Sequence, residues 1–118
     1  MDFSKHKERY SFKMNGIPMG KISSYTVSKQ MDTDVEPGEE YDFFYEVTLR
    51  RRCDQRSESE AINLFAVETF EIEIERLGYR TIYKECGIYS VYEELDQADS
   101  PIYQTITVRC PERIRLPL

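Results

Sequence analysis

The sequence predicts a mainly β protein, an antiparallel barrel or sandwich with one short helix and one long acidic loop. Three observations carry this expectation. Apolar residues recur with a period of two through most of the chain, the segments that alternate are separated by glycine-containing turns, and only one stretch opens like a helix. Nine tyrosines and six phenylalanines without a tryptophan also suit pleated, half-exposed surfaces.

Strands are expected at about 10–14 and 17–29, joined at Asn15-Gly16, a hairpin signal because both residues tolerate positive φ. The clearest strand covers 41–50. Tyr41, Phe43, Tyr45, Val47 and Leu49 share one face, and Asp42, Glu46, Thr48 and Arg50 share the other, with Phe44 as the exception. Between these strands, residues 30–40 hold five carboxylates, one proline, one glycine and no basic side chain. A connection of that length in a compact domain is usually functional or disordered.

Ser57-Glu58-Ser59-Glu60 has the capping-box spacing and leads into Ala61-Ile62-Asn63-Leu64-Phe65, enough for about two helical turns. At 69–75, Phe70, Ile72 and Ile74 alternate with Glu71, Glu73 and Glu75. Arg76-Leu77-Gly78 then reads as a three-residue hairpin loop with Gly78 left-handed, which sets Ile72 opposite Ile82. A two-residue loop would instead set Glu75 against Arg80, so turn and charge signals disagree, and the glycine is followed. Further strands are expected at 79–85, 87–94 and 102–110, the last two joined by an ordinary polar connection. The last residues, 111–118, with two prolines, read as an extended arm along a surface.

At 118 residues, 40% hydrophobic and 32% charged, the chain reads as one domain spanning 1–118, large enough for a core without metal or disulfide staples. No apolar run is long enough to cross a bilayer, and the first residues lack the apolar stretch of a signal peptide, so no membrane role and a cytosolic origin are expected. Cys53, Cys86 and Cys110, odd in number and widely spaced, read as reduced core or sheet residues. Sixteen basic against 22 acidic residues give a net charge of −6, which disfavours a dedicated nucleic-acid binder. A protein that must stay near DNA without sticking to it would carry such a charge.

Catalytic constellations are hard to assemble. His6 is the only histidine, in a charged terminal segment that offers no packed second partner. The cysteine spacings match no zinc module, and the five dispersed glycines form no phosphate loop, so no cofactor and no metal are expected. Glu71, Glu73 and Glu75 are either a solvated face that protects an edge strand or the lining of a space through which a polyanion passes. Arg50, Arg51, Arg52 and Arg56 form the one basic cluster. A contact to an acidic neighbour, such as the 30–40 loop of another copy, suits it better than phosphate.

The run Phe70 to Glu75, a turn, Thr81 to Gly87, then Ser90-Val91-Tyr92-Glu93-Glu94 and the Thr-rich Tyr103 to Arg109 resembles the closing strands of tail tube proteins from phages of Gram-positive hosts. The likeness covers about 65–113, and the short helix and long early loop also match tubes of contractile tails and of type VI secretion. The resemblance implies a non-enzymatic virion protein of the phage tail, assembled in the host cytoplasm. It implies stacked hexameric rings around a lumen that DNA only passes through, with sheath, tape measure or baseplate proteins as partners. Asp32, Asp34, Glu36, Pro37, Glu39 and Glu40 would then reach a neighbouring subunit, and Glu71, Glu73 and Glu75 are the candidate lumen or exposed acidic face. Other readings are a tail terminator or a baseplate or connector subunit, a monomeric protein- or carbohydrate-binding module using Tyr89, Tyr92 and Tyr103, and an enzyme with paired carboxylates.

Overall fold

The computed structural model describes residues 10–31, 38, 42–66, 68–76, 78–95, 97–98 and 101–117. Seven strands follow in order: β1 (Tyr10–Met14), β2 (Ile17–Met31), β3 (Phe43–Arg52), β4 (Phe70–Arg76), β5 (Tyr79–Leu95), β6 (Pro101–Cys110) and β7 (Glu112–Pro117). Between β3 and β4 lie α1 (Arg56–Glu60) and a 3-10 turn (Ala61–Phe65). The strand order is β4-β1-β2-β3-β6-β5-β7, and a further β4–β5 pairing closes six strands into a barrel. Every pair is antiparallel. His6 and all six loop residues, Asp32, Asp34, Glu36, Pro37, Glu39 and Glu40, lie outside the described residues, as does Tyr41.

The expected fold class holds, and the reason is local. Asn15 and Gly16 take φ of 51° and 78°, so Met14 pairs directly with Ile17 across a two-residue turn whose twist matches the strands. Asn15 also donates its backbone N–H to the Glu71 carbonyl and accepts the Glu71 N–H on Oδ1, both at 2.8 Å, which ties the turn to the start of β4.

Two strands are long enough to bend. β2 pairs with β1 over 17–22 and with β3 over 22–31. β5 pairs with β4 and β7 over its first half and with β6 over 87–95. The barrel is therefore two layers sharing β2 and β5, and between them lie Phe12, Met14, Ile22, Val47, Leu49, Ile72, Ile74, Tyr83, Ile106 and Val108. Each such side chain contributes roughly 1.5–3 kcal/mol through removal from water.

Several expectations are corrected. The strands expected at 79–85 and 87–94 are one strand, β5, bent at Glu85, which adopts a left-handed φ of 55°. The β4–β5 hairpin has a two-residue connection. Arg76 pairs with Tyr79 and Glu75 with Arg80, and Ile72 faces Tyr83 rather than Ile82. Gly78 is left-handed as expected, but the loop is one residue shorter than the glycine suggested, and in the register found Arg80 reaches Glu73 at 3.0 Å. α1 is not opened by a Ser57–Glu60 box: Gln55 is its N-cap, and the Glu58 carboxylate instead accepts the Asp54 N–H at 2.9 Å. The carboxy-terminal arm is a strand, β7, laid along β5, with Pro111 just before it and Pro117 at its end, where a missing N–H does least harm. Phe43, placed in the core by its alternation, is 53% exposed, because β3 begins beyond the barrel's packed interior. β4, whose acidic row suggested an edge, is paired on both sides. No helix among the described residues is long and apolar enough to cross a membrane.

Candidate functional site

One layer of the barrel presents a broad open face. It is built from residues 23–31 of β2, then β3, β6 and residues 87–95 of β5. Val47, Leu49, Ile106 and Val108 point inward from its two central strands, so the period of two sends Thr48, Arg50, Thr105, Thr107 and Arg109 outward. Register then aligns hydroxyls across all four strands. Thr26 stands beside Thr48, Thr48 beside Thr107, and Thr107 beside Ser90, with the Thr48 and Thr107 Oγ1 atoms 3.2 Å apart. The neighbouring row is Ser24, Arg50, Thr105 and Tyr92.

Charges on this face cancel in pairs. Arg109 donates to Glu46 at 3.1 Å, and its guanidinium lies 3.7 Å from the Tyr89 ring centre. Arg50 reaches Glu94 at 3.1 Å and stacks 3.8 Å from the Tyr103 ring centre. The planar guanidinium stacks on an aromatic ring while its edge holds a carboxylate, a combination lysine would not reproduce. The outcome is a neutral, hydroxyl-rich surface with stacked side chains at its border.

The two outer strands of this layer each keep an unpaired edge among the described residues. β1 stops at Ile22 of β2, leaving 23–31 without a neighbour opposite β3. On β5, β6 and β7 run along one edge in one register, and β4 leaves the other edge at Cys86, so 87–95 is open there.

The basic cluster expected from the sequence is divided by the strand's own alternation. Arg50 lies on the open face, whereas Arg51 is 3% exposed and points into the barrel. Its Nε donates to Gln104 Oε1 at 2.9 Å, Nη1 to the Met19 carbonyl at 3.1 Å and Nη2 to the Glu58 carbonyl. Burial pushes the Arg51 guanidinium below its usual range, with Cys53 and Glu58 opposing that shift. Arg52 pairs with Asp54 at 3.0 Å and Arg56 with Glu60 at 3.2 Å, both exposed, at the end of the barrel where β3 finishes. Arg51 and Arg52 join Lys21, Asp54, Ser57 and Glu58 around a groove of about 580 Å³ at that end.

The acidic row lies on the other layer. Glu73 is held between Arg80 at 3.0 Å and Lys13 at 4.0 Å, and Glu75 stands beside Ser11 and Arg80. Tyr89, Tyr92 and Tyr103 lie along the open face and line neither that groove nor the second one, formed by Tyr25, Ile74, Arg76, Tyr79, Thr81 and Arg115. Among the described residues no group of three or more His, Cys, Asp or Glu side chains is placed to hold a metal. The hydroxyl face was not anticipated. Its trace in the sequence is the alternate Ser24, Thr26 and Ser28 together with Thr105 and Thr107, but only strand pairing makes one surface of them.

No family model and no curated protein matches the sequence. Solved structures do match. The chain superimposes on Hcp1 from Flavobacterium johnsoniae with a TM-score of 0.65 and 11% identity, over 92% of this chain and 95% of that one. It matches the tube-terminating cap of the anti-feeding prophage with a TM-score of 0.61 and 11% identity, over 94% and 89%. It matches a chain of the sheath–tube complex of the PVC extracellular contractile injection system with a TM-score of 0.60 and 15% identity, over 100% and 99%. At these identities the likeness is one of architecture: the chain has the tail-tube-like fold.

Proposed function

We propose that this protein is a non-enzymatic structural subunit of a tail-like injection device. Copies join edge to edge into hexameric rings, and the rings stack into a tube. The observation that carries this reading is the four-strand layer with open edges on opposite sides. Four alternating strands end in two edges that run in opposite directions, so copies related by rotation continue the up-down order without a break. Residues 87–95 of one copy then pair with 23–31 of the next, and ring closure removes the exposed edges that would otherwise invite aggregation.

In such a ring the core-facing side of the layer points outward and the hydroxyl face lines the lumen. Ser24, Thr26, Thr48, Thr105 and Thr107 offer no net charge, and Arg50 and Arg109 are already engaged by Glu94 and Glu46. A passing DNA meets no row of free cations to hold its phosphates. Glu71, Glu73 and Glu75 fall on the outer layer, where Glu73 is matched by Lys13 and Arg80.

Stacking has a charge logic as well. The acidic connection carrying Asp32, Asp34, Glu36, Pro37, Glu39 and Glu40 joins β2 to β3 at one end of β3, and Arg52, Arg56 and Lys21 lie at the other. Arg52 and Arg56 are held there by Asp54 and Glu60 in exposed pairs that solvent keeps weak, so in axial repetition the acidic segment of one ring competes for these arginines and meets Lys21 of the next. Sheath, tape measure or baseplate proteins are the partners this reading calls for, in a phage tail or a related particle. A second reading, a tube cap or terminator, is favoured by the likeness to the prophage cap. It differs in stopping at one ring.

Size determination and negative-stain imaging of the concentrated full chain test the proposal. Six-fold rings are expected, lengthening into tubes for a tube subunit and remaining single for a cap. A chain that stays monomeric, without rings at any concentration, overturns both.

A further inference from the structure

All three cysteines are free thiols and all are buried, and two of them face each other. Cys86 lies at the bend of β5 and Cys110 at the end of β6. The pairs on either side, Lys84 with Glu112 and Gly87 with Arg109, keep one register, which sets Cys86 directly opposite Cys110. Both side chains point into the same core. Opposed residues of antiparallel strands have Cα atoms about 4.5–5.5 Å apart. A disulfide spans about 4.4–6.8 Å between Cα atoms, so the backbone need not move to accept one. Cys53 stands apart, beside Arg51 at the other end of the barrel.

We infer that Cys86 and Cys110 are a dithiol redox site, converted to a cross-strand disulfide by small-molecule disulfides of the glutathione type. Cys110 is the attacking group. The neighbouring Cys86 thiol and the Arg113 guanidinium hold its thiol below the usual range, whereas the Cys110 thiol, with burial, holds Cys86 above it. At rest each thiol donates to a carbonyl, Cys86 to Tyr83 at 3.2 Å and Cys110 to Tyr45 at 3.7 Å. The Cys110 thiolate attacks one sulfur of oxidised glutathione, forming a mixed disulfide and expelling one glutathione thiolate. Cys86, losing its proton, then attacks the Cys110 sulfur and expels the second. One protein S–S bond forms, the glutathione S–S bond breaks, two electrons pass to glutathione, and its two thiolates take up the two protons.

The position gives the bond a consequence. At this point β5 turns at left-handed Glu85, and the facing chain turns at Pro111 between β6 and β7. A bridge here pins the corner where both strands pass from one barrel layer to the other. Because the two thiols are buried, reaction waits on local opening. β7, six residues long, begins two residues after Cys110 and pairs along residues 79–84 of β5, so its release is the opening this inference calls for. The inference is independent of ring assembly, since it concerns one chain.

The test is incubation of the folded full chain in a series of oxidised-to-reduced glutathione ratios, followed by alkylation of free thiols and non-reducing peptide mapping. The expected result is a Cys86–Cys110 linked peptide whose yield rises with the ratio, an alkylatable Cys53, and a raised thermal midpoint that reductant reverses. Cys53→Ser retains all of this, and Cys110→Ala abolishes the link. If Cys110→Ala does not fold, the linked peptide in Cys53→Ser alone decides. Free thiols at both positions at equilibrium, or links that involve Cys53 or join two chains instead, overturn the inference.

Discussion

Arg51 donates through Nε to Gln104 Oε1 at 2.9 Å, and Gln104 in turn donates through Nε2 to the Ser59 carbonyl at 2.9 Å and to Glu93 at 3.2 Å. Arg51 and Gln104 are side by side on β3 and β6, face the core, and are among the few buried polar side chains. Together they bind α1 to the sheet through carbonyls that a short helix leaves unpaired. Replacing Arg51 by Ala deprives two buried acceptors and one partly buried one of a donor, a loss of about 2–3 kcal/mol at roughly 1 kcal/mol each. Arg52→Ala, which breaks an exposed pair with Asp54, is expected to stay within about 0.5 kcal/mol of the parent. Urea unfolding of the two variants checks the contrast, and equal midpoints would refute it.

Ile72 and Phe43 make a second contrast. Both sit in strands of similar alternation, but Ile72 is fully buried and Phe43 is 53% exposed, with Lys29 Nζ 5.1 Å from its ring centre. Ile72→Asp buries an unpaired carboxylate at a cost of several kcal/mol, roughly the whole stability of a domain this size. Phe43→Asp gives up only partly buried apolar area and a surface cation–π contact, so the chain stays folded. Circular dichroism and thermal melts of the two variants separate the outcomes. A folded Ile72→Asp would mean that the inward face of β4 is misassigned.

These two contrasts mark what was legible in the sequence. Period-two alternation located β3 and β4 because each buries one face, and Asn15-Gly16 fixed its hairpin because few residue pairs accept that backbone. Alternation carries no information on where a layer ends, so Phe43 looked like Val47. It also records nothing of which strands pair. The open hydroxyl face and the division of Arg50 from Arg51 depend on the β2-β3-β6-β5 order, set by contacts up to 65 residues apart. Gly78 suited either loop length, and the register found is the one to which the Glu75 and Arg80 charges pointed.

Tyr83 makes stability fall in alkali. Its phenol is buried, with Oη 3.2 Å from that of Tyr25, and burial first, then this hydrogen bond, raise its pKa above the usual tyrosine value. The folded chain therefore keeps the Tyr83 proton at pH values where the unfolded chain has lost it. The stabilisation is complete below the unfolded pKa of about 10 and is lost progressively as pH rises above it. Cys86, raised in the same sense, begins its own loss near its unfolded value of about 8.5. Thermal midpoints should fall between about pH 10 and about pH 11, where Tyr83 dominates, and change less near the unfolded thiol value of about 8.5, where Cys110, shifted down, offsets part of the Cys86 loss. Tyr83→Phe should flatten the upper fall. An unchanged slope in Tyr83→Phe would assign the loss to other groups.

The proposed lumen is tested by changing its charge while leaving the fold alone. Thr48 and Thr107 lie side by side on the open face, half-buried, and their hydroxyls bond only to each other among the described contacts. Lysine at both positions adds two cations per copy. Its aliphatic stem lies along the strand surface and its ammonium group reaches solvent, so the melting curve should fall only by the like-charge repulsion of two opposed side chains, under about 1 kcal/mol. In a six-membered ring the same change places twelve cations around the inner wall. Assembled rings or tubes of the parent are expected to release short double-stranded DNA at all but the lowest salt. The Thr48→Lys, Thr107→Lys variant is expected to retain it, with a retention that falls steeply as salt rises, because each phosphate contact displaces a counterion. Co-sedimentation across a salt series reads this directly. The control places the same charge on the outer layer by Glu71→Lys, where DNA has access from outside whether or not a lumen exists. If both variants retain DNA equally when its ends are blocked by bulky caps, the hydroxyl face is not enclosed. The proposed placement of the lumen then fails.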